Sequence, residues 1–309
     1  MNGHSYTGSG VVVLGGVNQD TSVRVPWLPL PGETVISTGL QRNLGGKAAN
    51  QAVAVARSGV TVSLLAALGD DAAGDNCLRL LAQSGVDVRD VVRLEEVPTG
   101  QASVWVDNGG QNSIVVTPAA NGLLDVDELP RFEAAIAGAA VLVVQGEVSP
   151  AVSAAAVLHA YSHSTRAVVN LAPYVDLGKS VAFADPLVVN EVEAAQLLGV
   201  EAITDPRVAV VQLSKISRTV VMTVGAAGAY VVQSRKAYHV PAAHTESVVD
   251  TTGAGDAFVG VLAASLSVGI DLMEATKRAV AAATASTQVH GAGSNYPLFP
   301  PVLADEVSA

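Results

Sequence analysis

The chain has a single cysteine, Cys77, so it can form no intramolecular disulfide and no cysteine-built zinc site. Cys77 reads as a small core residue on a helix. Charge is also sparse: only 15% of residues are Asp, Glu, Lys or Arg, and the net charge is −11. No Lys/Arg-rich run supplies the basic face that general nucleic-acid binding needs, and an acidic chain does not favour anionic membranes. A local turn of backbone amides can still hold an anionic ligand against that field. No apolar run approaches the roughly 18 residues of a membrane span, and no basic residue precedes Arg24, so no leader pattern is seen. A cytoplasmic location is expected. The six histidines show no ligand spacing. Aromatics are few (4%), whereas half the residues are hydrophobic and glycine is abundant at 29. That mixture predicts a large core with helices packed closely on strands.

Apolar runs and helical stretches alternate. Val11–Leu14, Val62–Ala67, Val141–Gln145, Ala167–Leu171, Leu187–Val189 and Thr219–Val224 read as buried strands. Lys47–Arg57, Ala72–Gln83, Pro150–His163, Glu191–Leu198, Arg207–Ile216, Ala257–Ser267 and Asp271–Val289 read as helices. Strands separated by helices predict an α/β fold with a mainly parallel central sheet covered on both faces. Two excursions, 17–45 and 98–118, break this rhythm. The second alternates through Ala102, Val104 and Val106, turns at Asn108-Gly109-Gly110, and resumes at Ile114 and Val116, a hairpin signal. Together they predict a small antiparallel sheet attached to one domain spanning 1–309.

Glycines mark the chemistry. In Asp250–Asp256, Gly253 and Gly255 precede a helix whose unpaired amides favour phosphate. Asp256 in that turn either caps the helix or meets an attacking hydroxyl and accepts its proton. Gly45 and Gly46 precede a second helix. There Lys47 and Asn50, three apart, present a cation and an amide to a polyhydroxy ligand. Ala48 follows Lys47, so this is no Walker-type P-loop. Asn18 and Asp20 follow the first strand and alternate to one side of an extended chain, which suits vicinal hydroxyls, although both are also common turn formers. Asn190 and Glu193 follow another strand and suit either a nucleotide with hydrated Mg²⁺ or a helix cap. Thr223, Gly225 and Gly228 form a further strand-to-glycine turn where a nucleotide could lie.

In this order the segments resemble the ribokinase-like, or pfkB, carbohydrate kinases along nearly the whole chain. Gly45–Gly59 and Asp250–Phe258 resemble that family's two signatures. The resemblance implies a three-layer α/β body with a small β-sheet lid that commonly forms a homodimer interface. It implies transfer of the γ-phosphoryl of ATP to the primary hydroxyl of a pentose, D-ribose giving D-ribose 5-phosphate. Deoxyribose, another sugar or a nucleoside are the alternative acceptors, and a catalytically silent sugar- or nucleotide-binding protein is the alternative of another class. By motif match, Asn18, Asp20, Gly46, Lys47, Asn50 and Glu147 bind the sugar. Asp256 is the base, and Gly253, Ala254 and Gly255 form the anion hole. Asn190, Thr223, Gly225, Gly228 and Gly255 contact ATP, and Glu193 orders Mg²⁺ through water. Asp250, Thr252, Ser286, Val289, Gly291 and Asn295 form a potassium site. Ala48 departs from the glycine more usual there, and the stretch from Gly199 to Arg218 is short.

Overall fold

A computed structural model describes residues 8–243, 245 and 247–302, so the last residues of the tail lie outside it. In chain order the elements are β1 (Val11–Leu14), β2 (Asn18–Arg24), β3 (Gly39–Gly45), α1 (Lys47–Arg57), β4 (Val62–Leu65), β5 (Ala67–Gly69), α2 (Ala72–Gln83), β6 (Val92–Leu94), β7 (Gly100–Val106), β8 (Asn112–Thr117) and the single turn α3 (Ala120–Leu123). They continue with α4 (Leu129–Gly138), β9 (Val141–Val144), α5 (Pro150–Ser162), β10 (Arg166–Asn170), β11 (Leu187–Asn190), α6 (Glu191–Leu198), α7 (Pro206–Leu213), β12 (Val220–Thr223), β13 (Ala229–Gln233), β14 (Lys236–Val240), α8 (Ala254–Ser267) and α9 (Leu272–Ser286).

Eight strands form the central sheet in the order β14-β13-β12-β11-β10-β9-β1-β4. The six from β12 to β4 are mutually parallel, and β13 and β14 add an antiparallel edge. The parallel part of the sheet is buried on both faces, as continuous apolar strands such as Val-Val-Val-Leu require. Val11 and Val13 face a core built with α1, α8 and α9, while Val12 and Leu14 face one built with α4, α5 and α7. The result is a three-layer α/β fold. Among the described residues no helix is long and apolar enough to cross a membrane.

The two excursions join in a separate four-stranded sheet, β3-β2-β7-β8. It is mixed rather than antiparallel. Each excursion is an antiparallel pair, but β2 and β7 run parallel, with Asn18 opposite Gly100. Both outgoing strands leave the body at one end and lie side by side, each with its return strand outside. Direction between the pairs is therefore set by where they leave the body, which a local alternation pattern does not encode. The β13–β14 hairpin escapes sequence reading for another reason. Its turn residues, Ser234 (φ 52°) and Arg235 (φ 62°), take left-handed backbone without the Asn-Gly signal that usually marks it.

Candidate functional site

β1 ends where β2 begins, and α1 and α8 each start at the same end of the body, beyond the carboxyl ends of its parallel strands. Ligands bind there in open α/β sheets. α1 opens at Gly46, whose φ of 86° and close approach to Gly16 and Val17 leave no room for a side chain. α8 opens at Ala254, three residues earlier than the sequence suggests, with Gly253 as its left-handed N-cap at φ 76°. The two helices touch at Gly260, where a Cβ would lie 2.5 Å from that of Ala54. This contact brings Asn50 and Gln51 onto Asp256.

Asp256 is buried (6% exposed). Asn50 Nδ2 donates to its Oδ2 at 3.0 Å, and Gln51 Nε2 donates to its Oδ1 at 3.0 Å. The N-cap of α8 is Gly253 and Asp256 lies inside the first turn, so Asp256 is not the capping residue. Gln51 is held in turn. Its Nε2 also donates to Asn170 Oδ1 (3.0 Å), and its Oε1 accepts from Gln145 Nε2 (2.6 Å). Gln145 and Asn170 lie at the ends of β9 and β10. None of these three amides stands out in the sequence. Gln51 directly follows the Lys47–Asn50 segment, and its neighbour Asn50 is the only signal for it. In the first turn of α8, Ala254 N–H already donates to the Thr251 carbonyl at 3.2 Å. Among the described residues, the N–H groups of Gly255 and Asp256 have no backbone acceptor and face outward at the dipole's positive end.

Beside Asp256 lies a cluster of charge. Lys47 N–H donates to Glu147 Oε2 at 2.7 Å. The Lys47 ammonium is held protonated above its usual range, first by Asp256, with Glu147 and Glu193 adding to this and burial opposing it. Burial pushes Glu147 up to about 7, despite the Lys47 N–H bond that works to lower it. Burial, then the Asp256 charge, pushes Asp20 up to about 6. Among the described residues, Asp20 Oδ1 and Asn50 Oδ1 are buried acceptors with no donor. Such orphans are costly unless a ligand supplies the hydrogen, and hydroxyl groups fit both.

These two carboxylates also fix a pH response of the free protein. The folded state keeps its protons where the unfolded chain has lost them, between 4.5 and about 7 for Glu147 and between 3.8 and about 6 for Asp20. Their linkage therefore lowers stability as pH rises through that window. The thermal midpoint without ligand is expected to fall from pH 5 to 8, and Glu147→Gln to flatten part of that fall. A wild-type slope matched by Glu147→Gln in calorimetry would contradict this.

On the other side of α8's N-terminus lies a cavity of about 580 Å³, lined by Thr223, Gly225, Gly228, Ala254, Gly255 and Phe258 among others. Asn190 does not line it. Its side chain closes a capping box: Oδ1 accepts from Glu193 N–H (2.9 Å), and Glu193 accepts from Asn190 N–H (2.8 Å) and Nδ2 (3.0 Å). Glu193 is buried, which raises its pKa, while the Asn190 bonds work to lower it. Asp250 Oδ1 accepts from Thr252 N–H and its Oδ2 from Gly291 N–H, both at 2.9 Å. Burial works to raise Asp250, but the bonds from Thr252 and Gly291 prevail and keep its carboxyl below the usual range. The 286–295 segment thus meets Asp250. Within it, Ser286 Oγ is taken up by the Ala283 carbonyl, and Val289 N–H and Asn295 N–H close turns onto Ser286 and Ala292. Tyr296, unmarked in the sequence, donates its hydroxyl to the Gly253 carbonyl at 2.6 Å and pins the N-cap. Among the described residues no three His, Cys, Asp or Glu side chains converge as metal ligands. A hard cation would take most of its oxygens from ligand, water or backbone.

Residues 9–298 match the family described as pfkB family carbohydrate kinase. The chain is 34% identical to the ribokinase of Mus musculus over 93% of this chain and 91% of that protein. It is 30% identical to the deoxyribokinase of Salmonella typhimurium, over 93% and 95%. The ribokinase of Arabidopsis thaliana, solved in complex with ribose and ATP, superimposes with a TM-score of 0.86 at 27% identity, over 96% of this chain and 97% of that one.

Proposed function

We propose that this chain, which belongs to the pfkB family of carbohydrate kinases, transfers the γ-phosphoryl of ATP to the primary hydroxyl of D-ribose, giving D-ribose 5-phosphate. The observation that carries the acceptor side is the pair of orphaned buried oxygens, Asp20 Oδ1 and Asn50 Oδ1. They ask for hydroxyl donors, and relatives named ribokinase set the class of sugar.

In this reading Asn18, Asp20, Gly46, Lys47, Asn50 and Glu147 hold the sugar. Asp256 takes the proton of the attacking hydroxyl. The free amides at the start of α8 steady the phosphoryl, and Lys47 offsets charge beside them. Little covalent work is needed in such transfers, so positioning and charge carry the rate. The nucleotide occupies the cavity lined by Thr223, Gly225 and Gly228. When bound, Mg²⁺ neutralises the polyphosphate. Glu193, a buried carboxylate, would hold it through water. A monovalent cation, K⁺, would sit where the ionised Asp250 meets the 286–295 segment.

Strand β8 exposes Ile114 (55%), Val115 (60%) and Val116 (56%) on both faces of an unpaired sheet edge. We read the four-stranded sheet as a lid whose edge a second copy covers. Sedimentation as a monomer would overturn that assembly. A cytoplasmic location belongs to the same proposal.

The test is ADP release with MgATP and a panel of D-ribose, 2-deoxy-D-ribose, other pentoses and nucleosides, with K⁺ present or replaced by an organic cation. D-ribose is expected to give the highest kcat/KM, and K⁺ to raise it. A preference for deoxyribose or a nucleoside overturns the substrate. Sugar binding with no ADP release overturns the kinase.

A further inference from the structure

Asn121 stands one turn past the end of β8, on α3, and nothing in the reaction so far uses it. It is 2% exposed. Its Oδ1 accepts from Val17 N–H at 3.0 Å, and its Nδ2 donates to the Val17 carbonyl at 3.1 Å and to Asn18 Oδ1 at 2.8 Å. Both Nδ2 hydrogens are therefore spent. The backbone of Val17 decides which way this amide faces, because a peptide N–H can only donate and its carbonyl can only accept. Reversing Asn121 would set donor against donor and acceptor against acceptor in a dry site.

The constraint passes on. With Asn121 Nδ2 fixed as the donor, the atom of Asn18 that meets it must be the oxygen. Asn18 Nδ2 then faces away from Asn121, and no partner holds it among the described residues. We propose that Asn121 is a positioning residue: it fixes the Asn18 amide so that this side chain offers N–H groups, and not its oxygen, to the acceptor sugar. Asn18 then donates to one hydroxyl oxygen while the Asp20 carboxylate accepts from a hydroxyl, so the two read a diol with opposite polarity. This rests on the sugar-site reading above.

Two further observations show that the arrangement is built. Gly100 lies opposite Asn18 across the β2–β7 ladder, and a Cβ there would come within 2.2 Å of Asn121 Nδ2 and 2.5 Å of Asn18 Oδ1. Only the bare backbone leaves room for the pair. Ala119, two residues before Asn121, is held at φ 46°. A non-glycine residue keeps such a backbone only where its surroundings over-determine it, as the bonds Asn121 N–H to Pro118 O and Ala120 N–H to Pro98 O do here.

The experiment is a double-mutant cycle read as KM for D-ribose, KM for ATP and kcat. Asn121→Asp keeps the acceptor for Val17 N–H but turns the donor into an acceptor, so Asn18 must reverse. Asn121→Ser removes the donor pair without adding charge and is carried alongside in case the first variant fails to fold. Either is expected to raise KM for D-ribose about 10- to 100-fold, with kcat and the ATP KM within about twofold. In an Asn18→Ala background the same changes should add less than about twofold. Equal losses in both backgrounds, or losses spread over kcat and ATP, overturn the proposal. If Asn18→Ala alone leaves the D-ribose KM unchanged, the sugar-site reading fails, and this inference with it. If Asn18→Ala raises that KM but neither Asn121 variant does, only the inference fails.

Discussion

Asp256→Asn is expected to lower kcat by about 10²- to 10⁴-fold, the usual worth of a general base, while KM for ATP moves only a few fold. The surroundings explain why the variant should still fold. An amide in place of the carboxylate brings one NH₂ that must face an acceptor. Gln51 cannot turn to accept it, because its oxygen is held by Gln145 and its second N–H by Asn170. Asn50 can turn, because its own oxygen has no donor among the described residues. The new NH₂ should therefore point at Asn50, whose amide reverses at little cost to the fold but then turns N–H groups toward the sugar, so KM for sugar rises as well. The loss then reports the missing base rather than a collapsed site. A second effect follows from charge. Asp256 contributes to raising Asp20 and Glu147, so their apparent titration should move down in the variant. Single-turnover transfer with saturating D-ribose and MgATP measures the first effect. Near-normal turnover would remove Asp256 from the mechanism.

Gly253→Ala is expected to be nearly as damaging by another route. The backbone there sits at φ 76°, and the added Cβ would fall 2.3 Å from Ala292 Cβ and 2.5 Å from Tyr296 Oη. Strain and overpacking together should cost about 2 kcal/mol or more of stability. To relieve the clash, the start of α8 must shift away from the 292–296 turn, carrying the free amides and Asp256 with it. Misplacement of this kind by about 1 Å costs on the order of 10²-fold in rate. Gly255 is the control within the same turn. A Cβ there meets nothing within 4 Å, so Gly255→Ala should keep the thermal midpoint while narrowing the cavity it lines, which is proposed to take the nucleotide. Calorimetry and ATP titration on the two variants separate these cases. Equal stability for both would mean that the N-cap conformation carries no constraint.

Much of this was legible before any coordinates. The bounds of α1, α2 and α6 follow from alanine-rich or capped periodic stretches, and the structure starts and ends them where the sequence does. Lys47, Asn50 and Asp256 declare themselves because glycine turns precede them. What stayed hidden is non-local. Gln51 reaches Asn170 and Asp256 across 119 and 205 residues, and Asn121 reaches Val17 across 104. A buried amide has no periodicity and no charge to mark it, and its meaning lies wholly in the partner it finds. Tyr296 was hidden likewise, since one aromatic past a glycine turn looks like ordinary core. The Asn190–Glu193 segment shows the reverse case. Its local reading as a helix cap is present in full, and its role toward a nucleotide remains a proposal layered on the same atoms.

The division of the site between two sheets has an evolutionary consequence. Asn18 and Asp20 ride on a four-stranded sheet that stands apart from the body, whereas Asp256 and the free amides belong to a helix near the other end of the chain. Under the proposed function, the Asn18 and Asp20 part of acceptor choice is thus written in a separate stretch of the gene from phosphate transfer. Strands β2, β3, β7 and β8 can diverge under selection for a new sugar while the helix start stays untouched. A chimaera that borrows those four strands, together with Asn121 to seat them and with Lys47, Asn50 and Glu147 matched, is the unit to test for moving specificity from one member of the family to another.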